Sequence, residues 1–148
     1  MKQHTHWGVY ALAMYDDQVI LIHKGRGPYR GKWDLPGGRI EFGESPRETL
    51  ERELMEETGL KVEGATLLDV VSTRFSHKLP DGSEEDLHHL GVLYRVLLPS
   101  LVGLKGEADG HDSLGSRVVS IREAGSLDLT PFARLAIEKE ILRDAGKT

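Results

Sequence analysis

The sequence has no cysteine, so disulfide bridges and thiolate metal sites are excluded. No apolar run reaches the length of about 18 residues that a membrane-spanning helix needs. The opening MKQHTHWGVY lacks the basic-then-apolar pattern of a secretion signal, which gives a cytoplasmic expectation. A surplus of positive charge is missing too. The formal net charge is −5, which argues against a general surface for polymeric nucleic acid. An anionic substrate would then need local help from metal ions or a few basic side chains. No repeat, low-complexity stretch or linker interrupts the 148 residues, a length that suits one domain, 1–148, with a sizeable core. Charged residues make up 29% and hydrophobic ones 39%, ordinary for a globular protein.

What stands out is the stretch from Gly38 to Leu60, GRIEFGESPRETLERELMEETGL. Ser45 is a good helix N-cap, Pro46 fits the first helical position, and Glu48 completes a capping box. Gly59 reads as the left-handed terminator. The 13 residues between predict a helix of roughly 20 Å. Leu50 and Leu54 are expected to face the core. Glu53, Glu56 and Glu57, at i, i+3 and i+4, then share one side beside them. Like charges so spaced destabilise a bare helix by ~0.2–0.5 kcal/mol per pair. A hard divalent cation, which prefers oxygen ligands, would offset that repulsion. Arg52 has two candidate partners, Glu48 one turn earlier and Glu44 just ahead of the helix. The paired glycines Gly37 and Gly38 allow a sharp turn and a close backbone approach to a ligand or metal.

The remaining elements are read in order. Trp7 to Met14 and Gln18 to His23 predict a strand hairpin around Tyr15-Asp16-Asp17. The glycine-rich loop Lys24 to Asp34 carries Lys24, Arg26, Arg30 and Lys32. Both steering of phosphates and plain solvated charge are consistent with it. Trp33 reads as a packing anchor. Leu67 to His77 and Leu87 to Leu98 predict a second antiparallel hairpin around Pro80-Asp81-Gly82-Ser83. Alternation sends His88 and His89 to opposite faces, so they cannot chelate one ion together, and hydrogen-bonded structural roles are expected of both. Both faces of that strand are largely apolar, as in a central strand covered on two sides. Arg117 to Ile121 predicts a short strand. Thr130-Pro131 caps a last helix with Phe132, Leu135, Ala136, Ile141 and Leu142 as its expected apolar face. The sum is a mixed sheet between helices, an α/β/α sandwich.

The stretch from Gly38 to Leu60 resembles the box of the Nudix hydrolases in every position. That pattern is Gly, five residues, Glu, seven residues, Arg-Glu, an aliphatic, any residue, Glu-Glu, any residue, Gly, an aliphatic. Here those places hold Gly38, Glu44, Arg52, Glu53, Leu54, Glu56, Glu57, Gly59 and Leu60. The resemblance implies the α/β Nudix fold. It also implies magnesium or manganese as cofactor, and water-driven cleavage of a phosphoanhydride bond in a small nucleotide. That substrate would be a nucleoside triphosphate, or a nucleoside diphosphate linked to another group. By the same resemblance Glu53, Glu56 and Glu57 are metal-ligand candidates. It implies that Arg52 and Glu44 orient the site and that Gly37 and Gly38 bring backbone near the metal; from the charges of the basic loop, Arg26 and Arg30 are candidate substrate contacts. The general base is left open between Glu53 and an acid of a later loop. The resemblance also implies a loop acid that joins the metal site, and the family spacing favours Asp112 as that metal ligand, with Glu107 as rival. Where the family carries a tryptophan six residues further on, this chain has Val118. Homodimers are common in the family. The competing reading is a non-catalytic Nudix-fold nucleotide sensor, but such sensors usually lose box acids, and every one is kept here.

Overall fold

The computed structural model describes residues 2–106 and 113–146. Strand β1 (Lys2–Tyr15) is the spine. Its first part is exposed, but from Trp7 on, AVILMFWY residues dominate, and Gly8 to Met14 are all buried. Along one edge it pairs in parallel with β6 (Glu84–Leu97) from Lys2↔Glu85 to Met14↔Leu97. Its other edge is shared. β4 (Gly37–Arg39) pairs with Gly8 to Tyr10, and β2 (Gln18–Lys24) pairs only at Met14 and Tyr15. The predicted first hairpin therefore forms but splays at once, and β4 enters the gap. β3 (Trp33–Asp34) and β7 (Ser113–Ser120) both pair with β2. β5 (Gly64–Lys78) closes the far edge as the antiparallel partner of β6. The main path runs β3-β2-β1-β6-β5, a curled mixed sheet.

Alternation along β1 and β6 divides the core in two. Tyr10, Leu12, Met14 and Leu93 face helix α3 (Pro131–Ala145), where Phe132, Ala133, Ala136 and Ile137 meet them. Val9, Ala11, Ala13 and Val96 face helix α1 (Pro46–Thr58), where Leu50 and Leu54 meet them. A four-residue helix, α2 (Ile121–Ala124), packs beside α3. The sheet thus lies between helices, and β6 is covered on both faces as its composition indicates.

The last helix departs from the sequence reading. Leu142 is exposed and Leu135 partly so, while Glu140 is buried. The true inward face runs Phe132, Ala133, Ala136, Ile137, Glu140. Glu140 tolerates burial because Arg95 of β6 meets both its oxygens, at 2.8 and 2.9 Å. Asp34, also buried, accepts from the hydroxyl of Thr130, the α3 N-cap, at 2.8 Å and from the Leu35 amide at 2.8 Å. That contact ties the β3–β4 turn to the start of α3. Among the described residues no helix is long and apolar enough to cross a membrane.

Candidate active site

Helix α1 begins and ends as its sequence predicts. Ser45 Oγ accepts from the Glu48 amide at 3.2 Å, and the Ser45 amide donates to Glu48 at 3.0 Å. Gly59 adopts φ 78° and donates to Met55 O at 2.9 Å. With both ends fixed, the helix phase is fixed, and Leu50 and Leu54 point into the core. That orientation turns Glu53, Glu56 and Glu57 toward a cavity of about 680 Å³ that residues of β1, β6 and the loop after β2 also line.

The three glutamates have different surroundings. Glu57 is buried, and its carboxylate accepts from the Gly37 amide at 2.7 Å. Burial pushes its pKa up to about 8, the single amide donor opposing this only in part and the neighbouring Glu53 adding to it. Glu53 is raised to about 6, again chiefly by burial, with the Arg52 guanidinium opposing. Glu56 reaches furthest into solvent, its side chain 57% exposed.

Arg52 organises the acids. Its Nε and Nη2 grip Glu44 at 2.7 and 2.9 Å, a bidentate pair. Nη1 donates to Glu53 at 2.9 Å and to Glu56 at 3.4 Å, and Nη2 also donates to the carbonyl of Arg39 at 3.1 Å. Of the two partners open in sequence, Glu44 is the one engaged, and Glu48 is committed to the cap. Glu44 further accepts from the Thr49 hydroxyl at 2.9 Å and the Glu41 amide at 3.0 Å. Its pKa is drawn down to about 2, first by Arg52.

The two glycines serve by close approach. A Cβ on Gly37 would stand 2.1 Å from Val9 O, and one on Gly38 would stand 2.5 Å from a carboxylate oxygen of Glu53. At Gly37 only glycine lets β4 run against β1, whereas at Gly38 the close neighbour is the flexible end of Glu53. Lys24, Arg26 and Arg39 also line the cavity, so it holds cations as well as acids. Arg30 is exposed on the same loop and is not among the lining residues. Asp112 and Glu107 lie outside the described residues.

The donor set, carboxylate oxygens with a buried one that accepts from a neutral amide, suits a hard divalent cation. As the side chains stand, no group of three His, Asp or Glu is gathered for a metal among the described residues. The guanidinium of Arg52 lies between Glu53 and Glu56 instead. Holding a cation there requires those flexible side chains to turn from Arg52, while the helix can stay put.

The far end of the cavity holds residues the sequence reading did not assign to a site. His4, His6 and Tyr10 come from β1, Leu87 and His89 from β6, and Tyr29 from the basic loop. His89 is buried, with Nε2 at 2.7 Å from the Tyr10 hydroxyl and Nδ1 at 3.0 Å from that of Tyr29. His88 faces the other way and meets the Ser72 hydroxyl at 2.8 Å. A signal for His89 was present: it alternates with Leu87 and Leu93 on an inward face. A signal for Tyr29 was its being the one aromatic between Gly25 and Lys32.

The family model described as NUDIX domain matches residues 4–139. An ADP-ribose pyrophosphatase of Methanocaldococcus jannaschii is 32% identical over 130 residues, 87% of this chain and 66% of that protein. An 8-oxo-dGDP phosphatase of Homo sapiens is 50% identical over 54 residues, 36% of this chain but 17% of that protein. Among solved structures, a MutT NUDIX hydrolase from Burkholderia pseudomallei matches with a TM-score of 0.73 and 27% identity. That match covers 91% of this chain and 97% of the other.

Proposed function

The chain belongs to the Nudix hydrolase family, and on that premise we propose that it is a divalent-metal-dependent pyrophosphohydrolase of small nucleotides, working as a single domain over 1–148. The observation that carries the reading is one cavity lined by three unlike kinds of group: the carboxylates of α1, the cations Lys24, Arg26 and Arg39, and aromatic and histidine side chains. Such a lining matches a ligand that combines a polyphosphate with a flat ring system.

Glu53, Glu56 and Glu57 are the residues that would hold magnesium or manganese, which would neutralise phosphate oxygens and lower the pKa of a water. The protein's own residues do the rest. The Gly37 amide and the dry pocket around it fix Glu57. Glu44, pinned by Thr49 and Glu41, fixes Arg52, and Arg52 fixes the resting place of Glu53. Lys24 and Arg26 bring positive charge to the substrate's phosphates. The proton of the attacking water would pass to Glu53 or to an acid of the later loop, and Asp112 is the further acid proposed for the site.

A phosphate- and pyrophosphate-release assay with magnesium over a panel of nucleoside triphosphates, oxidised nucleotides and nucleotide sugars tests this. Turnover of at least one nucleotide is the expected result. Tight binding without turnover across the panel would instead make the chain a nucleotide sensor.

A further inference from the structure

Between β2 and β3 the chain forms a loop whose side chains are exposed or half-exposed, with one exception. From Gly25 to Gly31, only Tyr29 is buried, at 5% exposure. The loop is closed at its base by Lys24 N–H to Lys32 O and Gly31 N–H to Lys24 O, both 2.9 Å. Arg26 is at the outer turn, followed by Gly27 and Pro28, and all three line the cavity. His23 Nε2 also meets Gly31 O at 3.1 Å, and Lys32 Nζ meets Asp128 at 3.0 Å. Tyr29 ties the loop to β5 and β6. Its ring lies 5.1 Å from Phe75 of β5 and 5.7 Å from His89 of β6, and its hydroxyl reaches His89 Nδ1 at 3.0 Å.

The contact continues inward. His89 Nε2 meets the Tyr10 hydroxyl at 2.7 Å, and Tyr10 pairs in register with Gly37. Gly37 in turn donates its amide to Glu57 at 2.7 Å. A neutral imidazole has one N–H, so one tyrosine hydroxyl donates to His89 and the other accepts from it. Burial holds His89 neutral, with its pKa lowered to about 4. The basic loop and the acidic helix are thus joined through buried contacts and not through solvent.

We propose that Tyr29 is a positioning residue for the polyphosphate part of the substrate: docked on His89, it holds the Lys24–Lys32 loop so that Arg26 and Lys24 line the same cavity as the α1 glutamates. The proposal rests on the pyrophosphohydrolase reading for its meaning in catalysis, but its physical content is anion affinity. Loss of the hydroxyl removes one buried hydrogen bond and leaves the ring's packing in place. A fall in affinity for phosphates then follows, and the bond-breaking step is spared.

The test uses the full chain, with magnesium pyrophosphate as calorimetric probe and the best panel nucleotide as substrate. Tyr29→Phe is expected to weaken pyrophosphate binding and raise KM about fivefold, the effect of one hydrogen bond, with kcat changed less than about twofold. Arg26→Ala weakens binding as well. In the Arg26→Ala background, Tyr29→Phe costs less than it does in the wild type, because both act on one contact. Trypsin cleavage after Arg26 and Arg30 is faster in Tyr29→Phe than in the wild type. Equal costs of Tyr29→Phe in both backgrounds, a fall in kcat at unchanged affinity, or unchanged cleavage each overturn the proposal. If the wild type turns over no nucleotide, the pyrophosphohydrolase reading fails, while pyrophosphate affinity and cleavage still decide the role of Tyr29.

Discussion

The backbone amide of Gly37 donates to the carboxylate of Glu57 across 2.7 Å and is the one hydrogen-bond donor shown to meet that buried group. A carboxylate so placed resists ionisation, and its pKa lies near 8 against the ordinary 4.5. The sign follows from proton linkage. An acid whose folded-state pKa is raised contributes full stability below about pH 4.5, and that contribution is lost as pH rises through 8. His6 and His89, both lowered to about 4 by burial, act oppositely, since their contribution is lost as pH falls. Subtracting a Glu57→Gln variant isolates the glutamate. In EDTA the unfolding free energy of the wild type relative to Glu57→Gln should fall from pH 5 to pH 9 by on the order of a few kcal/mol, read as a fall in relative Tm. Magnesium, which binds the ionised form, should restore it most at high pH. A pH-independent difference contradicts this account of Glu57.

Glu56 is the exposed member of the trio. Glu56→Gln keeps the side chain's size and relieves repulsion along α1, so the fold should be unaffected. Activity should fall about 100-fold or more, as for loss of a metal-holding charge worth several kcal/mol. Near wild-type turnover with normal circular dichroism would remove Glu56 from the site.

The adjacent glycines separate fold from function. In Gly37→Ala the new Cβ meets backbone, Val9 O at 2.1 Å and Tyr10 Cα at 2.7 Å, so the strands must part. A Tm lowered by about 10 °C or more is expected. In Gly38→Ala the new Cβ meets only the end of Glu53, which can turn aside. That variant should fold, with Tm within a few degrees of the wild type, and lose most of its turnover. Reversed outcomes would show that Glu53 is not held where the structure puts it.

Arg52→Lys keeps the charge and loses the fork. Lysine cannot make the bidentate grip on Glu44 while reaching Glu53 and the Arg39 carbonyl. A kcat loss of about tenfold or more, ~1.4 kcal/mol, is expected, with a smaller change in Tm. An unchanged kcat would reduce Arg52 to a surface ion pair.

These residues show why part of the site was legible in sequence and part was not. The acidic helix was readable because its information is local. Its caps lie within four residues of their partners, and its spacing sets which side chains share a face. The far end of the cavity was not, because His89 meets Tyr10 and Tyr29 across separations of 79 and 60 residues. No short-range period encodes such a meeting. Strands β3 and β4, two and three residues long, are too short to leave a pattern, though β4 is what brings Gly37 to Glu57. On α3 the pattern misled for a physical reason. Glu140 occupies an inward position by pairing with Arg95, so a charge stood where an apolar residue is the usual mark, and Leu135 and Leu142 drew the face the wrong way.

The central claim is that this cavity hydrolyses a phosphoanhydride through a cation held by the α1 glutamates. Turnover of the best panel nucleotide should be measured with magnesium, then in excess EDTA, then after magnesium is restored. The account predicts loss of activity in EDTA and its full return with the metal; undiminished turnover in EDTA would contradict it.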